Sequence, residues 1–111
     1  MTVLTTIQAM GEPTRFEILH LVRHRELAAG DIARHFATTR PAISQHLRVL
    51  RRAGLLNERR LGTKRLYSVR PEGFDELRAF IERFWDVRLR RLKVAAEAAE
   101  VQRRLRNRKV R

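Results

Sequence analysis

The sequence predicts a mainly helical α+β fold with one small β-hairpin, formed as a single domain over residues 1–102 and followed by a basic, disordered tail, 103–111. Apolar residues recur every three or four positions along most of the 111 residues, and 43% of the chain is hydrophobic. This is the pattern of amphipathic helices in a chain that folds. After Gly54 the period changes to that of two short strands around a Gly-Thr turn. A chain of this length is large enough to bury one core.

Three short helices are predicted before residue 38. The first is marked by apolar residues at helical spacing, Val3, Leu4, Ile7 and Met10, and Gly11 ends it. The second begins at Pro13, because the missing N–H of proline costs nothing in a first turn. Its core side consists of Phe16, Ile18, Leu19 and Val22. The segment AAGDIARHFA, residues 28–37, predicts the third, with Asp31 near its positively polarised N-terminus.

The segment TTRPAISQHLRVLRRAGLL, residues 38–56, predicts a fourth helix over 39–53. Thr39 is its N-cap, and Pro41 is tolerated in the first turn. At about 100° per residue, one side carries Ile43, Leu47 and Leu50. The opposite side carries Pro41, Gln45, Arg48 and Arg52, with Ser44 flanking them, so the outward face begins with short polar groups and ends with arginines. His46 lies at the border of the two sides, where a structural role and contact with a phosphate are equally compatible with the pattern.

The segments LLNERRL and KRLYSV predict the strands of a hairpin over residues 55–70, with a strongly basic tip. From Pro71 onward a long helix is predicted, with an apolar stripe that exceeds what so small a core can cover. We expect this stripe to bury itself against a second copy of the chain, together with the first helix. The predicted dimer interface consists of Val3, Leu4, Ile7, Leu77, Ile81, Phe84, Trp85 and Leu92.

The formal net charge of +13 is concentrated in two parts of the chain. Residues 38–70 hold nine Lys/Arg against the single carboxylate of Glu58, and residues 103–111 hold six Lys/Arg and no acid, whereas residues 1–37 are neutral overall and residues 71–102 are net −1. An excess confined to one segment of a folded chain indicates a polyanion-binding face.

The third helix, a short link and the fourth helix have the proportions of a helix-turn-helix, and the hairpin that follows makes it a winged helix. A fourth helix that enters the major groove by its N-terminus would place Ser44 and Gln45 at base edges. Its later arginines, Arg48, Arg51 and Arg52, would then lie at the phosphate backbone. We therefore predict sequence-specific binding to double-stranded DNA. The alternative is a non-specific architectural or RNA-binding winged helix that uses the same basic face.

Three segments, EPTRFEILHLV, TTRPAISQHLRVLRRAGLL and RRLGTKRLYSV, resemble the signature segments of the ArsR/SmtB family of bacterial winged-helix repressors, and the likeness extends over residues 3–92. The resemblance implies a homodimeric repressor that joins its first and last helices and binds a palindromic operator. It implies base contacts from Thr39, Arg40, Ser44, Gln45 and His46, and wing contacts from Arg59, Thr63, Lys64 and Arg65. The absence of cysteine and of histidine in the last helix resembles a cysteine-free branch without the family's metal sites.

The sequence contains no nucleophile elbow, phosphate-binding glycine loop or cluster of carboxylates, so we predict that the protein is not an enzyme and has no cofactor or metal. His20 and His24 are four residues apart, a spacing that can hold zinc, but two ligands do not complete a site. No apolar run approaches the length of a membrane span, and no leader is evident, so we expect a cytoplasmic protein. A small-molecule or protein effector is compatible with the sequence and is not identified by it.

Overall fold

The computed structural model describes residues 2–109, except for the side chains of residues 86–89 and of residue 109. It contains helices α1 (Val3–Met10), α2 (Pro13–Leu21), α3 (Ala29–Ala33), α4 (Arg40–Arg52) and α5 (Asp75–Lys109), and strands β1 (Leu27–Ala28), β2 (Leu56–Leu61) and β3 (Lys64–Val69). A 3₁₀ turn, Pro71–Phe74, precedes α5. The chain divides into two compact units, Met1–Arg78 and Ala79–Arg111. This division differs from the predicted single domain over 1–102.

Short capping interactions begin α1 and α2. Thr2 caps α1 by accepting a hydrogen bond from the Thr5 N–H, and Glu12 caps α2 by accepting one from the Arg15 N–H at 2.9 Å. The predicted boundaries at Gly11 and Pro13 are confirmed. Phe16 does not join the core as predicted: it is 45% exposed, and its ring packs edge-on against His20 instead. The other three residues predicted on that side, Ile18, Leu19 and Val22, are buried.

The core of the first unit is formed by apolar residues of α1–α4 and of the hairpin. Its fully buried side chains include Ile18, Ile32, Ile43, Leu47, Leu50 and Leu55. The predicted inner side of α4 is thereby confirmed. The third helix is shorter than predicted, because α3 ends at Ala33, and the preceding residues 27 and 28 pair as a strand.

The hairpin leaves α4 through a single glycine. Gly54 has φ +76°, in the left-handed region that suits glycine. Its N–H donates to the Arg51 carbonyl, and the Leu55 N–H donates to the Leu50 carbonyl, which is the hydrogen-bond pattern of a Schellman motif. β2 and β3 then pair antiparallel around a turn in which Gly62 has φ +64°. β1 pairs with the other side of β3, so that the sheet order is β1-β3-β2.

Helix α5 extends the described structure through Lys109. The predicted disordered tail is therefore wrong for residues 103–109, while residues 110 and 111 lie outside the described residues. Glu100 explains part of this difference, since its carboxylate pairs with Arg103 and Arg104, one turn along the helix. Within residues 2–109, no helix combines the length and the hydropathy that crossing a bilayer requires.

A glycine near the start of α5 allows a close approach of two backbone segments. A Cβ at Gly73 would lie 2.0 Å from the carbonyl oxygen of Gly54, which the Schellman motif holds in place. We expect Gly73→Ala to lower the free energy of unfolding by about 1–3 kcal/mol, because the backbone must shift. Urea denaturation measures this. Gly30→Ala is the control: its Cβ would meet only ordinary contacts, at 3.5 Å and beyond, so stability should stay unchanged or rise. Equal losses would contradict the steric explanation.

Candidate nucleic-acid interface

The exposed face of α4 is organised by its N-cap and its buried side. Thr39 accepts a hydrogen bond from the Ala42 N–H at 3.3 Å, and Pro41 lies in the first turn, both as predicted. At about 100° per residue, Arg40, Ser44, Arg48 and Arg51 lie along one strip of the exposed face. Pro41, Gln45 and Arg52 lie along the adjacent strip, which faces solvent.

A groove of about 580 Å³ separates the first strip from the hairpin. We call it the basic groove. It is lined by α3 with the residues before it, by α4 and by the tip of the hairpin; its polar lining consists of Asp31, Arg34, Arg40, Ser44, Arg48, Arg51, Thr63, Lys64, Arg65 and Tyr67. Six of these side chains are cationic and one is acidic. The groove is therefore suited to a polyanion that contacts α4 and the hairpin together.

The structure brings half of the predicted DNA-binding residues to this groove. Those that line it are Arg40, Ser44, Arg48, Thr63, Lys64 and Arg65. Gln45 is held next to it, because Arg48 Nη1 donates to Gln45 Oε1 at 3.1 Å. Thr39, Pro41 and Arg52 are exposed on α4 without lining the groove.

Arg59 lies on the other side of the hairpin. Successive strand residues point to opposite faces of the sheet, and Arg59 forms a two-pronged hydrogen bond to Glu26, at 3.0 Å and 2.8 Å. The hydrogen bond from Arg59 lowers the pKa of the Glu26 carboxyl, and the same contact raises the pKa of Arg59. The structure therefore does not bring Arg59 together with the predicted wing contacts at Thr63, Lys64 and Arg65.

His46 is turned away from the exposed strips of α4. Its Nδ1 lies 3.3 Å from Arg15 Nη1 and 3.7 Å from Glu12 Oε2, and its side chain is 21% exposed. Arg15 also donates to the carbonyls of Ala9 and Gln8, at the end of α1. His46 thus links α4 to α1 and α2. These contacts support the structural one of the two roles that the sequence left open for His46.

Of two further arginines in the groove, Arg51 was expected at the phosphate backbone as one of the later arginines of α4, whereas Arg34 had no predicted role. Arg34, at the end of α3, lies on the groove wall, with its Nη1 3.5 Å from Asp31. Arg51 lies there too and pairs with Glu58. Their helical positions alone do not reveal this, because the groove depends on where the hairpin folds back. The isolation of Glu58 among nine basic residues was the available signal.

The two histidines with possible zinc spacing do not both lie in α2. The helix ends at Leu21, so His24 lies beyond it, although His20, His24 and His35 line one open depression. Among the side chains that the structure describes, no three histidine, aspartate or glutamate groups come together in a way that could hold a metal ion.

Comparison with known proteins places this arrangement among bacterial regulators. The family model described as "Bacterial regulatory protein, arsR family" matches residues 12–58, from the cap of α2 into β2. The HTH-type transcriptional regulator Rv2034 of Mycobacterium tuberculosis is 44% identical over 78 residues, which cover 70% of this chain and 73% of that protein. The transcriptional repressor SdpR of Bacillus subtilis is 40% identical over 62 residues, covering 56% of this chain and 69% of the repressor.

The fold is also shared with a solved structure. A protein described as a possible transcriptional regulator for arsenical resistance superposes with a TM-score of 0.66 and is 40% identical; the match covers 80% of this chain and 93% of the other. The similarity thus extends beyond the helix-turn-helix.

The inward position of His46 can be tested beside its outward neighbour Gln45. We expect His46→Ala to lower the free energy of unfolding by about 0.5–1.5 kcal/mol, because the link to Arg15 is lost, and to leave DNA sequence preference unchanged. Gln45→Ala should leave the free energy of unfolding unchanged and weaken DNA sequence preference. Urea denaturation and competition between DNA duplexes measure the two effects. A loss of sequence preference in His46→Ala at unchanged stability would place the imidazole at the DNA instead.

Proposed function

The chain belongs to the ArsR family of bacterial regulatory proteins and is a DNA-binding transcriptional regulator, and we propose that it is a homodimeric repressor that occupies a palindromic operator in the cytoplasm. Helix α4 enters the major groove of each half-site, and the hairpin contacts the adjacent backbone. The single observation that carries this proposal is the basic groove, in which α4 and the hairpin tip present cations to one side.

The residues along α4 support a division between base and phosphate contacts. Ser44 and Gln45 lie in its N-terminal half, and both side chains are exposed; their hydroxyl and amide groups can bond to base edges. Arg48 and Arg52 follow one and two turns later, where arginine is suited to phosphates. Lys64 and Arg65 extend the cationic surface to the hairpin. In this proposal, Arg40 joins Ser44 and Gln45 in determining which sequence is bound.

The roles of Gln45 and Lys64 can be distinguished by how their substitution changes the preference for one DNA sequence over another. After in vitro selection of bound DNA, we expect Gln45→Ala to lower affinity for the selected duplex by about 1–3 kcal/mol, with little change for a scrambled duplex, since a base contact is lost. Lys64→Ala should weaken both duplexes alike, because a phosphate contact carries no sequence information. Fluorescence anisotropy measures both affinities.

Equal losses on both duplexes in Gln45→Ala would contradict its role in base recognition. A selection that returns no common sequence, or a wild-type protein that binds structured RNA as well as the selected duplex, would favour the alternative function as a non-specific binder. A selected site without two inverted half-sites would contradict the proposed palindromic operator.

The apolar side chains of α1 and α5 support the dimer. Leu4 and Ile7 of α1 are exposed, as are Ile81, Phe84, Trp85 and Leu92 of α5, while Val3 and Leu77 are half-buried. Along α5, Phe80, Val94 and Val101 recur at multiples of seven residues, and so do Phe84, Ala98 and Leu105. Such a four-and-three spacing is typical of helices that pair with one another. The exposed fraction of Phe84, 68%, makes it the clearest candidate for contact with a second copy.

A charge at this position should separate the subunits without unfolding either one. We expect Phe84→Asp to convert dimers to monomers in sedimentation velocity and to reduce operator affinity at least tenfold, because two half-sites are then bound independently. Glu82→Ala, on the opposite side of the same helical turn, is the control and should remain dimeric. A wild-type protein that sediments as a monomer at micromolar concentration would contradict the proposed dimer.

A further inference from the structure

Glu58 on β2 is the only carboxylate between residues 38 and 70, and it lies between two cations of the basic groove. Its Oε2 is 2.5 Å from Arg51 Nη1 of α4, and its Oε1 is 3.3 Å from Arg65 Nε of β3. The Glu58 side chain is 11% exposed, whereas both arginines are more than half exposed. One carboxylate thus joins the helix to the wing from beneath the groove.

The position of Glu58 in the sheet directs its side chain to the face of the hairpin that lies toward the basic groove. Glu58 is opposite Tyr67, a buried residue that also lines the groove, and Arg65 is its diagonal neighbour on β3. The side chain of Arg59 points to the other face, where it pairs with Glu26. The hairpin therefore carries two carboxylate–arginine contacts of similar chemistry, one within the groove and one remote from it.

Two consequences follow for a polyanion in the groove. First, a phosphate that enters the groove competes with the Glu58 carboxylate for the guanidinium groups of Arg51 and Arg65, because both anions bind arginine. The carboxylate stays beside these arginines, because its strand is paired. Second, the Glu58–Arg51 ion pair joins α4 to the hairpin, while the Glu58–Arg65 ion pair joins β2 to β3 within the hairpin. A largely buried carboxylate with two cationic partners is also less screened by salt than an exposed pair.

We infer that Glu58 is a positioning residue that sets DNA specificity: it holds the wing against α4 and withholds two arginines from phosphates, so that sequence-independent affinity stays low. This inference rests on the proposed function, since it assumes that the groove holds DNA. Glu58 makes no contact with bases in this inference. Glu58 acts on DNA binding only through Arg51 and Arg65.

The test compares Glu58→Gln, which preserves the shape of the side chain, with Glu26→Gln on the remote face. In Glu58→Gln we expect severalfold tighter binding to a scrambled duplex. The slope of log K against log salt concentration should be steeper by about one to two units, because one or both of the released arginines neutralise a phosphate. Affinity for the selected duplex should rise less, so the ratio of the two affinities falls. Glu26→Gln should change neither slope nor ratio.

A purely structural role would lower the melting temperature of Glu58→Gln and leave the salt slope on scrambled DNA unchanged, which would overturn the inference. A second pair of variants keeps the test independent of how Glu58→Gln folds. Arg48 contacts neutral Gln45, whereas Arg51 shares Glu58, so Arg48→Gln should flatten the slope more than Arg51→Gln. Equal flattening would likewise overturn it.

These outcomes differ from a failure of the proposed function. If the wild-type protein binds selected and scrambled duplexes equally, sequence-specific regulation by this groove is contradicted, yet the salt slope of Glu58→Gln still tests the release of its arginines. Absence of any DNA binding by the wild-type protein would overturn both proposals.

Discussion

The direction in which the hairpin leaves α4 is fixed at one residue, and the basic groove depends on it. Gly54 adopts a left-handed conformation, so that its N–H and that of Leu55 bond back into the last turn of the helix. Leu55 then enters the core, and its carbonyl accepts a hydrogen bond from the N–H of Arg70, at the far end of the hairpin. Because both ends of the hairpin are attached at this place, the core fixes where the hairpin starts and ends, and the Glu58–Arg51 ion pair adds a contact further along β2.

The cations of this surface are not equivalent. In the groove, Arg51 and Arg65 share the carboxylate of Glu58, Arg48 donates to the neutral amide of Gln45, and the guanidinium of Arg40 lies over Gly30 of α3. On the other face of the hairpin, Arg59 pairs with Glu26. The nine Lys/Arg side chains of residues 38–70 therefore offer fewer unpaired cations to a ligand than their number suggests. Because each carboxylate pairs with particular arginines, substitution of one carboxylate changes the number of unpaired cations without altering the residues that face the bases.

Local chemistry in the sequence was sufficient to predict the capped α4, its buried side and the Gly-Thr hairpin, because caps, helical period and turns depend on neighbouring residues. Positions set by tertiary contacts could not be predicted this way. Phe16 has the spacing of a core residue and packs on His20 at the surface, and His46 is drawn inward by Arg15 from another helix. β1 is only two residues long and exists through its pairing with β3, so no periodicity could indicate it.

The pairing of β1 with β3 has a consequence for the behaviour of the protein at high concentration. β3 is paired on both sides, so the open edges of the described sheet belong to β2 and to the two-residue β1, and β2 is the longer of them. Unpaired strand edges invite the addition of strands from other molecules, and charged side chains oppose it. Arg59 and Arg60 stand at consecutive positions of that edge strand. The arginines of the hairpin thus also keep its backbone from acting as a template for aggregation.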